Sequence, residues 1–406
     1  MHQLYNAIDG MRDYIVSIQS ELVSIPALGP DNEGVGEQEK ADYLKKHLKE
    51  LGVKDIREFK APDDRIPCGY RPNLAAVVPG KNTDRTLWVI AHIDVVPPGD
   101  RSLWDSDPYF LVKDGDRIIG RGVEDNHQGL VSALCVAKGL LETDIIPEVS
   151  LGLLFVADEE TGSKYGLGYV VEEHGSIFSK EDLFLVPDFG QPTSDFLEIA
   201  EKSMFWLKVV VEGKQCHAST PEQGNNSLVA CSDLILRVRR LYDKYDATDD
   251  LFDPPFSTFE PTKKEANVEN INTMPGRDVF YVDARVLACY DLDEILETIR
   301  GYCREVEAEY GVTVSDEVVQ QEQAAPATPL ESEIVQRVMD GVKWIYGKKG
   351  KPAGVGGGTV AAFLRRNGFD AVVWSTLNHQ AHQPNEWASL SATIGDAKVM
   401  AHILMA

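Results

Sequence analysis

The sequence predicts an α/β protein into which a second, smaller α+β domain is inserted. Three observations support this fold class. The length of 406 residues exceeds what one hydrophobic core usually organises. Helical and strand-like patterns alternate along the first part of the chain, and the alternation stops between residues 197 and 320 before it resumes. We therefore expect a discontinuous α/β domain with a mostly parallel central sheet, residues 1–196 and 321–406, around an inserted domain, residues 197–320.

The α/β domain is predicted from helices that separate buried strands. Residues 37–50 are rich in helix formers, and Leu44, Leu48 and Leu51 recur with helical spacing. Residues 128–141 show a second helical pattern. Four apolar runs have the length and composition of buried strands, namely 73–78, 87–92, 149–156 and 182–186. Such strands between helices are typical of a parallel sheet that is covered on both faces.

The inserted domain is predicted from a different order of elements. The predicted elements are a strand at 203–211, a helix at 226–244, strands at 267–273 and 278–287, a helix at 292–309 and a strand at 311–319. Residues 252–262 are rich in proline and are expected to form a loop, and Pro275-Gly276 is expected to form a turn. The order β-α-β-β-α-β is that of a ferredoxin-like module.

Composition excludes several classes of partner. Acidic residues outnumber basic residues by 65 to 40, which gives a formal charge of −25. Such a surface repels phosphate backbones and anionic lipids, so we expect no nucleic-acid and no membrane partner. The six cysteines form no CxxC pair and no disulfide framework. Since the sequence also shows neither a signal-peptide pattern nor a long apolar run, we expect a cytoplasmic protein.

Acidic and histidine side chains cluster where the predicted strands end, which is the edge where open α/β sheets bind ligands. His92 and Asp94 would point the same way on a strand, so Asp94 can orient His92 as a metal ligand. Glu159 and Glu160 follow the strand at 149–156, where one carboxylate can bind metal and its neighbour can act as general base. Taken alone, each cluster fits a solvated strand end equally well.

Three further clusters complete the candidate set. Glu124 and Asp125 precede a predicted helix, where either carboxylate can bridge two cations and where Asp125 can instead cap the helix. Asp188 follows a strand, at a place where a turn is the ordinary alternative. His379 and His382 are two candidate ligands three residues apart. Histidines and carboxylates without cysteine fit a pair of zinc ions, for which Co²⁺ or Mn²⁺ could substitute.

The segments that carry these residues resemble the M20 family of co-catalytic metallohydrolases. That family includes acetylornithine deacetylase, succinyl-diaminopimelate desuccinylase, aminoacylase and several dipeptidases. Seven segments match in order, namely HID (92–94), GRGVEDNHQG (120–129), DEETGS (158–163), PDFG (187–190), HAST (217–220), NTMPGRDVFYVDAR (272–285) and HQPNE (382–386). The resemblance implies a zinc-peptidase-like catalytic domain, an inserted domain that serves as dimerisation or lid domain, and hydrolysis of an amide bond.

The resemblance also assigns roles to individual residues. It implies five ligands of two zinc ions: His92 and Asp188 for one, Glu160 and His382 for the other, and Asp125 for both. Asp94 matches the residue that orients the ring of His92. Glu159 matches the general base and acid. A cis peptide bond is expected between Asp125 and Asn126.

In the inserted domain the resemblance implies residues that contact substrate. His217 matches a histidine that reaches the active site of the partner subunit in a homodimer. Asn272 and Arg285 match residues that grip substrate, with Arg285 on its carboxylate, although an ordinary arginine on a sheet face fits as well. Gly358 belongs to a glycine-rich turn on the substrate side. After this turn the chain departs from the pattern, since Val360 and Ala361 stand where many relatives have an aspartate.

The HQPNE segment and the short inserted domain most resemble the deacylase branch of the family. They predict removal of an acyl group from an N-acyl amino acid, of the acetylornithine or succinyl-diaminopimelate kind. A dipeptidase or aminopeptidase is the alternative within the family. A hypothesis of another class is a non-catalytic relative that uses the fold for binding or assembly, and such a protein would have lost Glu159 or a ligand. A third hypothesis is a hydrolase with a single metal ion.

Overall fold

A computed structural model describes residues 1–406. The helices are α1 (His2–Asp9), α2 (Arg12–Ser24), α3 (Gln38–Leu51), α4 (His127–Thr143), α5 (Leu167–His174), α6 (Ser227–Val238), α7 (Leu241–Lys244), α8 (Leu292–Tyr310), α9 (Glu333–Tyr346), α10 (Ala361–Arg366) and α11 (Leu390–Met405). The strands are β1 (Asp55–Pro62), β2 (Tyr70–Val78), β3 (Asn82–His92), β4 (Val112–Asp114), β5 (Arg117–Ile119), β6 (Val149–Val156), β7 (Leu183–Val186), β8 (Phe196–Glu201), β9 (Ser203–Glu212), β10 (Cys216–His217), β11 (Thr258–Lys264), β12 (Thr273–Met274), β13 (Arg277–Val286), β14 (Thr313–Glu322), β15 (Lys351–Val355), β16 (Ala371–Val373) and β17 (Trp387–Ser389).

The chain forms two compact units. The larger unit contains Met1–Ile199, Ala327–Ala353 and Phe363–Ala406, and the smaller unit contains Ala200–Pro326 and Gly354–Ala362. The short segment Gly354–Ala362 was expected in the α/β domain, but Thr359 donates hydrogen bonds to Glu201 from both its N–H and its hydroxyl group. No helix is both long and apolar enough to span a lipid bilayer.

The largest sheet has eight strands in the order β1-β2-β6-β3-β7-β16-β8-β15. Its centre is parallel, because β3 pairs in parallel with β6 and β7, and β16 pairs in parallel with β7. Antiparallel pairing joins β1 to β2, β2 to β6, and β8 to β16. This arrangement confirms the predicted α/β class. The carboxyl ends of β3, β6 and β7 therefore lie at one edge of the sheet, and the residues that follow them are brought together.

The smaller unit contains an antiparallel sheet in the order β11-β13-β9-β14. Helices α6 and α8 cover it, and alternate residues of the strands, such as Phe205, Leu207 and Phe280, pack with Leu234 and Ile299 of the helices. A strand that alternates buried and half-exposed residues buries one face of the sheet against the helices. With its strands and helices in the order β9-α6-β11-β13-α8-β14, the unit has the predicted ferredoxin-like topology.

Two predictions within this unit were wrong. The strand predicted at 267–273 is mostly loop. On the side of β13 away from β9, the paired strand is β11, which begins within the stretch predicted as a proline-rich loop. The sheet tolerates Pro261 because β11 is an edge strand with a register shift after this proline. The helix predicted at 226–244 is broken into α6 and α7, where the N–H of Arg240 bonds to the carbonyl of Arg237 and tightens the turn.

Candidate metal centre

The segments that follow the parallel strands carry most of the predicted ligands. His92 is the last residue of β3, and Asp188 lies two residues beyond β7. Glu160 follows β6 in a short helical turn, and Asp125 lies just before α4. His382 lies in the irregular segment between β16 and β17. All five side chains belong to the larger unit.

These side chains form two groups that share one carboxylate. In the first group, the Nε2 atom of His92 lies 2.9 Å from Oδ1 of Asp125 and 3.4 Å from Oδ1 of Asp188. In the second group, Nε2 of His382 lies 3.0 Å from Oε2 of Glu160 and 3.3 Å from Oδ2 of Asp125. The potential ligand atoms of each group lie within 4.8 Å of one another. Asp125 therefore presents one oxygen to each group.

The chemistry of these donors fits a divalent metal ion in each group. Each group has one imidazole nitrogen and two carboxylates, a mixture that suits zinc. Burial lowers the pKa of His92, but its bond to Asp125 and the neighbouring Asp188 outweigh burial and raise that pKa well above its usual value. Hydrogen bonds to Asp125 and Glu160 raise the pKa of His382 to about 10. Both shifts show that the carboxylates create a strongly negative pocket, which favours a cation.

Asp94 connects the first group to Glu159. The carbonyl oxygen of Asp94 lies 2.9 Å from Nδ1 of His92, so Nδ1–H donates and Nε2 is left free to bind metal. The two carboxylate oxygens of Asp94 accept the N–H groups of Glu159 and Glu160, each at 3.1 Å. The Asp94 carboxylate also lies 3.5 Å from Nδ1 of His92, and it holds the turn that carries both glutamates.

Glu159 differs from its acidic neighbours. Its carboxylate makes no hydrogen bond and no ion pair with another residue, whereas Asp158 binds Arg71 and Glu160 binds His382. Burial, followed by the charge of Asp188, raises the pKa of Glu159 well above its usual value. A half-buried carboxylate without a protein partner, next to a candidate ligand, is available to exchange protons.

The structure distinguishes between two pairs of candidate ligands, Glu124 or Asp125 and His379 or His382, that residue chemistry alone did not separate. Glu124 points away from the two groups, because its carboxylate accepts the N–H groups of Asn378 and Gln380. His379 also lies outside them, with its Nε2 atom 2.9 Å from Oε1 of Gln191. Of each pair of candidates, only Asp125 and His382 lie in the groups. The peptide bond after Asp125 is cis.

The candidate substrate residues of the smaller unit lie in two places. His217 pairs with Thr273 between β10 and β12, and the carbonyl of the adjacent Asn272 accepts the N–H of Ala218. Arg285 lies on β13 and donates two hydrogen bonds to Asp283 and one to the carbonyl of Gly356, close in sequence to Gly358. The structure therefore brings His217 together with Asn272, and Arg285 together with the glycine-rich turn.

Sequence reasoning missed several buried polar residues around the centre. Glu386 is fully buried and binds the segment that carries Asp125. Lys40 of α3 is buried beside His127, with Nζ 2.9 Å from Nε2. Arg71 is buried between Glu37 and Asp158. Only Glu386 stood in a recognised motif, HQPNE, and nothing in the patterns indicated that the other residues face the site.

Comparison with known proteins agrees with this fold. The model of Peptidase family M20/M25/M40 matches residues 88–406. An uncharacterised metallohydrolase of Methanococcus maripaludis is 41% identical over 97% of this chain and 99% of its own. A succinyl-diaminopimelate desuccinylase of Nitratiruptor sp. is 24% identical over 92% of this chain and 94% of its own. The solved structure of a di-peptidase from Saccharomyces cerevisiae shares the fold, with a TM-score of 0.73, 16% identity and coverage of 100% of this chain and 98% of the other.

The fold and the paired ligand groups define a metal-dependent hydrolase of amide bonds. The family model covers most of the chain, and the archaeal relative covers nearly all of it. The chain belongs to Peptidase family M20/M25/M40. Binding of divalent metal follows from this membership together with the two ligand groups.

Proposed function

We propose that the protein uses two divalent ions, zinc in the first instance, to remove the acyl group from an N-acyl amino acid. The observation that carries the proposal is the position of Asp125 between His92 and His382, with the unpartnered carboxylate of Glu159 nearby. His92 and Asp188 would hold one ion, Glu160 and His382 the other, and Asp125 both. With a single bound ion, one of the two ligand groups would hold no metal.

Bound divalent ions supply Lewis-acid activation of water and of the substrate carbonyl. The protein contributes the proton transfers. Glu159 accepts a proton from the attacking water on a carboxylate oxygen, as the water oxygen forms a bond to the acyl carbon. When the carbon–nitrogen bond breaks, Glu159 returns this proton to the departing nitrogen. Asp94 supports both steps, because it fixes the tautomer of His92 and holds the N–H of Glu159.

His217 is suited to stabilise the oxyanion that forms at the carbonyl. Its Nδ1 atom accepts the N–H of Ser219, which leaves Nε2–H as an outward donor on an exposed side chain. We propose that this donor acts in the active site of the partner subunit of a homodimer. One such donor contributes on the order of 3 kcal/mol in comparable sites. Asn272, which adjoins His217, would contact substrate at the same place.

The choice of an N-acyl amino acid rests on the desuccinylase among the relatives and on the HQPNE segment. In this proposal Arg285 binds the free carboxylate of the substrate, in competition with Asp283, beside Gly358. A dipeptidase is the second candidate, and the likeness to the yeast di-peptidase favours it. Both candidates act on a small molecule with a free carboxylate.

A substrate panel with metal analysis tests the proposal. N-acetyl and N-succinyl amino acids and dipeptides are compared at matched concentration, with the bound metal measured on the same sample. We expect two ions per chain and a kcat/KM at least about tenfold higher for one acyl series, and Arg285→Gln should raise KM rather than lower kcat. A preference for dipeptides would show that the enzyme is a dipeptidase and not a deacylase. Full activity with one bound ion per chain would refute the proposal of two ions.

A further inference from the structure

Two irregular segments of the larger unit carry the shared carboxylate and the more exposed histidine. The bridging loop, residues 120–126, contains Asp125, and the histidine loop, residues 377–386, contains His382. Neither ligand lies in a helix or a strand, so backbone pairing of a sheet does not hold it. His382 in addition has a positive φ of 63° and a largely exposed side chain. Backbone pairing joins the two loops only at one end, where β5 and β17 meet and the N–H of Gly120 bonds to the carbonyl of Glu386, so another interaction has to hold the parts that carry the ligands.

Glu386 extends from the histidine loop into the bridging loop. Its Oε1 atom accepts the N–H groups of Glu124 at 2.9 Å and Asp125 at 3.1 Å. Its Oε2 atom accepts the N–H of Gly122 at 2.9 Å and Nη1–H of Arg121 at 2.6 Å. The side chain is completely buried. Both oxygens therefore hold the bridging loop at the shared ligand and in the residues just before it.

Glu124 makes the reverse connection. It belongs to the bridging loop, and its two carboxylate oxygens accept the N–H groups of Asn378 and Gln380 in the histidine loop. Only 1% of Glu124 is exposed to solvent. Since buried carboxylates are stable only when they are well hydrogen-bonded, these contacts account for the presence of the charge there.

We propose that Glu124 and Glu386 form a reciprocal clasp that sets the distance between the shared ligand Asp125 and His382. Both are positioning residues, because neither carboxylate bonds to a side-chain atom of the two ligand groups. The inference deepens the proposed function and rests on its metal centre. It also explains why Glu124, although acidic and adjacent to Asp125, lies outside both groups.

The clasp predicts an asymmetry between two variants. Glu124→Gln replaces one acceptor oxygen with a donor that faces a backbone N–H, so the histidine loop should loosen. It should weaken the ion held by Glu160 and His382 about tenfold or more and leave the other ion nearly unchanged. Glu386→Gln loosens the backbone at Asp125, a ligand of both groups, and should weaken both ions.

The matched control is Asp182→Asn. Asp182 is also a buried carboxylate that accepts backbone N–H groups, from Thr86 and Ser179, as well as the indole N–H of Trp88. It lies just before β7, whereas Asp188 follows the end of that strand. A merely structural carboxylate should lower stability without changing metal affinity or the absorption spectrum of bound Co²⁺.

The experiment combines Co²⁺ titration, followed by calorimetry and visible absorption, with amide hydrogen exchange of the metal-free protein. We expect one weakened site and an altered Co²⁺ spectrum in Glu124→Gln, with faster exchange in peptides that cover 376–383. Unchanged exchange there, or equal spectral changes in Asp182→Asn, would overturn the clasp. Because exchange is measured without metal or substrate, a clasp that fails is distinguished from a metal centre or substrate class that fails.

Discussion

At the scale of single residues, the acidic side chains around the centre divide by their partners. Asp94, Glu124 and Glu386 accept backbone N–H groups, and they are thereby committed to holding the chain. Asp125 and Glu160 face histidines. Glu159 alone among the glutamates of this region has a carboxylate without a protein partner, and this difference supports the proton transfer proposed for it.

Replacement of Glu159 by glutamine should lower kcat by about 10²- to 10⁴-fold, the usual contribution of a general acid–base group. The amide has the same shape but neither accepts nor returns a proton. Metal content, measured by elemental analysis, should stay at the level of the unaltered protein. The control is Glu172→Gln, an exposed glutamate of α5 in the same unit. Substantial turnover by the Glu159 variant would contradict the assigned role.

The sequence predicted which residue types meet at the strand ends. It did not predict which of the acidic residues hold the backbone and which face the histidines. Strand-end placement predicts that His92, Glu160 and Asp188 approach one another, since parallel strands end at one edge. The roles of Glu124 and Glu386 depend on two irregular loops meeting, and no periodic pattern encodes that. The resemblance selected Asp125 and His382, which local residue chemistry could not separate from Glu124 and His379.

At the scale of elements, Asp116 joins three parts of the larger unit. It lies in the turn between β4 and β5 and accepts hydrogen bonds from Ser389, Ser391 and Arg12 at 2.6 to 2.7 Å. Ser389 in turn caps the N-terminus of α11. Burial raises the pKa of Asp116, but these hydrogen bonds outweigh it and lower the pKa to about 2.

This shift predicts a pH-dependent stability. A carboxylate with a lowered folded-state pKa stabilises the fold above its ordinary pKa near 4, and the contribution disappears as the pH falls toward about 2. Asp116→Asn should therefore lower the free energy of unfolding at pH 6 by about 1 kcal/mol, after allowance for solvent screening. Urea denaturation of metal-free protein should show a smaller difference at pH 3. Asp114→Asn, at the end of β4 in the same hairpin, is the control, and a loss of stability that does not depend on pH would argue against a role of the Asp116 charge.

Elements were predictable where one strong pattern governed them. The run at 149–156 coincides with β6, and α4 and α8 differ from the predicted ranges by at most two residues at either end. Predictions failed where tertiary structure overrode composition. Pro261 suggested a loop, yet an edge strand accommodates it at a register shift. The break between α6 and α7 occurs without glycine or proline, so composition did not indicate it.

At the scale of the whole molecule, the smaller unit exposes apolar side chains on one helix. Val229 and Leu236 of α6 are 50% and 65% exposed, and their spacing of seven residues places them on one face. Exposed apolar surface of this kind is common at sites of protein association. It supports the proposed homodimer through the inserted domain.

The double variant Val229→Glu and Leu236→Glu should convert a dimer, of about twice 44.9 kDa, into a monomer. Light scattering after size-exclusion chromatography measures this mass. Activity should fall together with dimer content, because His217 is proposed to act in the partner's site. Trp344→Glu, an equally exposed apolar residue of α9 in the larger unit, is the control. A fully active monomer would show that His217 has no role across subunits.

The division of the chain into units has a consequence for modularity. The backbone passes four times between the two units, because Gly354–Ala362 returns to the smaller one. Excision of a gene cassette for residues 200–326 would therefore leave Thr359 without Glu201 and Val355 without the N–H of Lys202. The smaller unit is not a removable insert. Any exchange of it between related genes would have to transfer two separate stretches of coding sequence together.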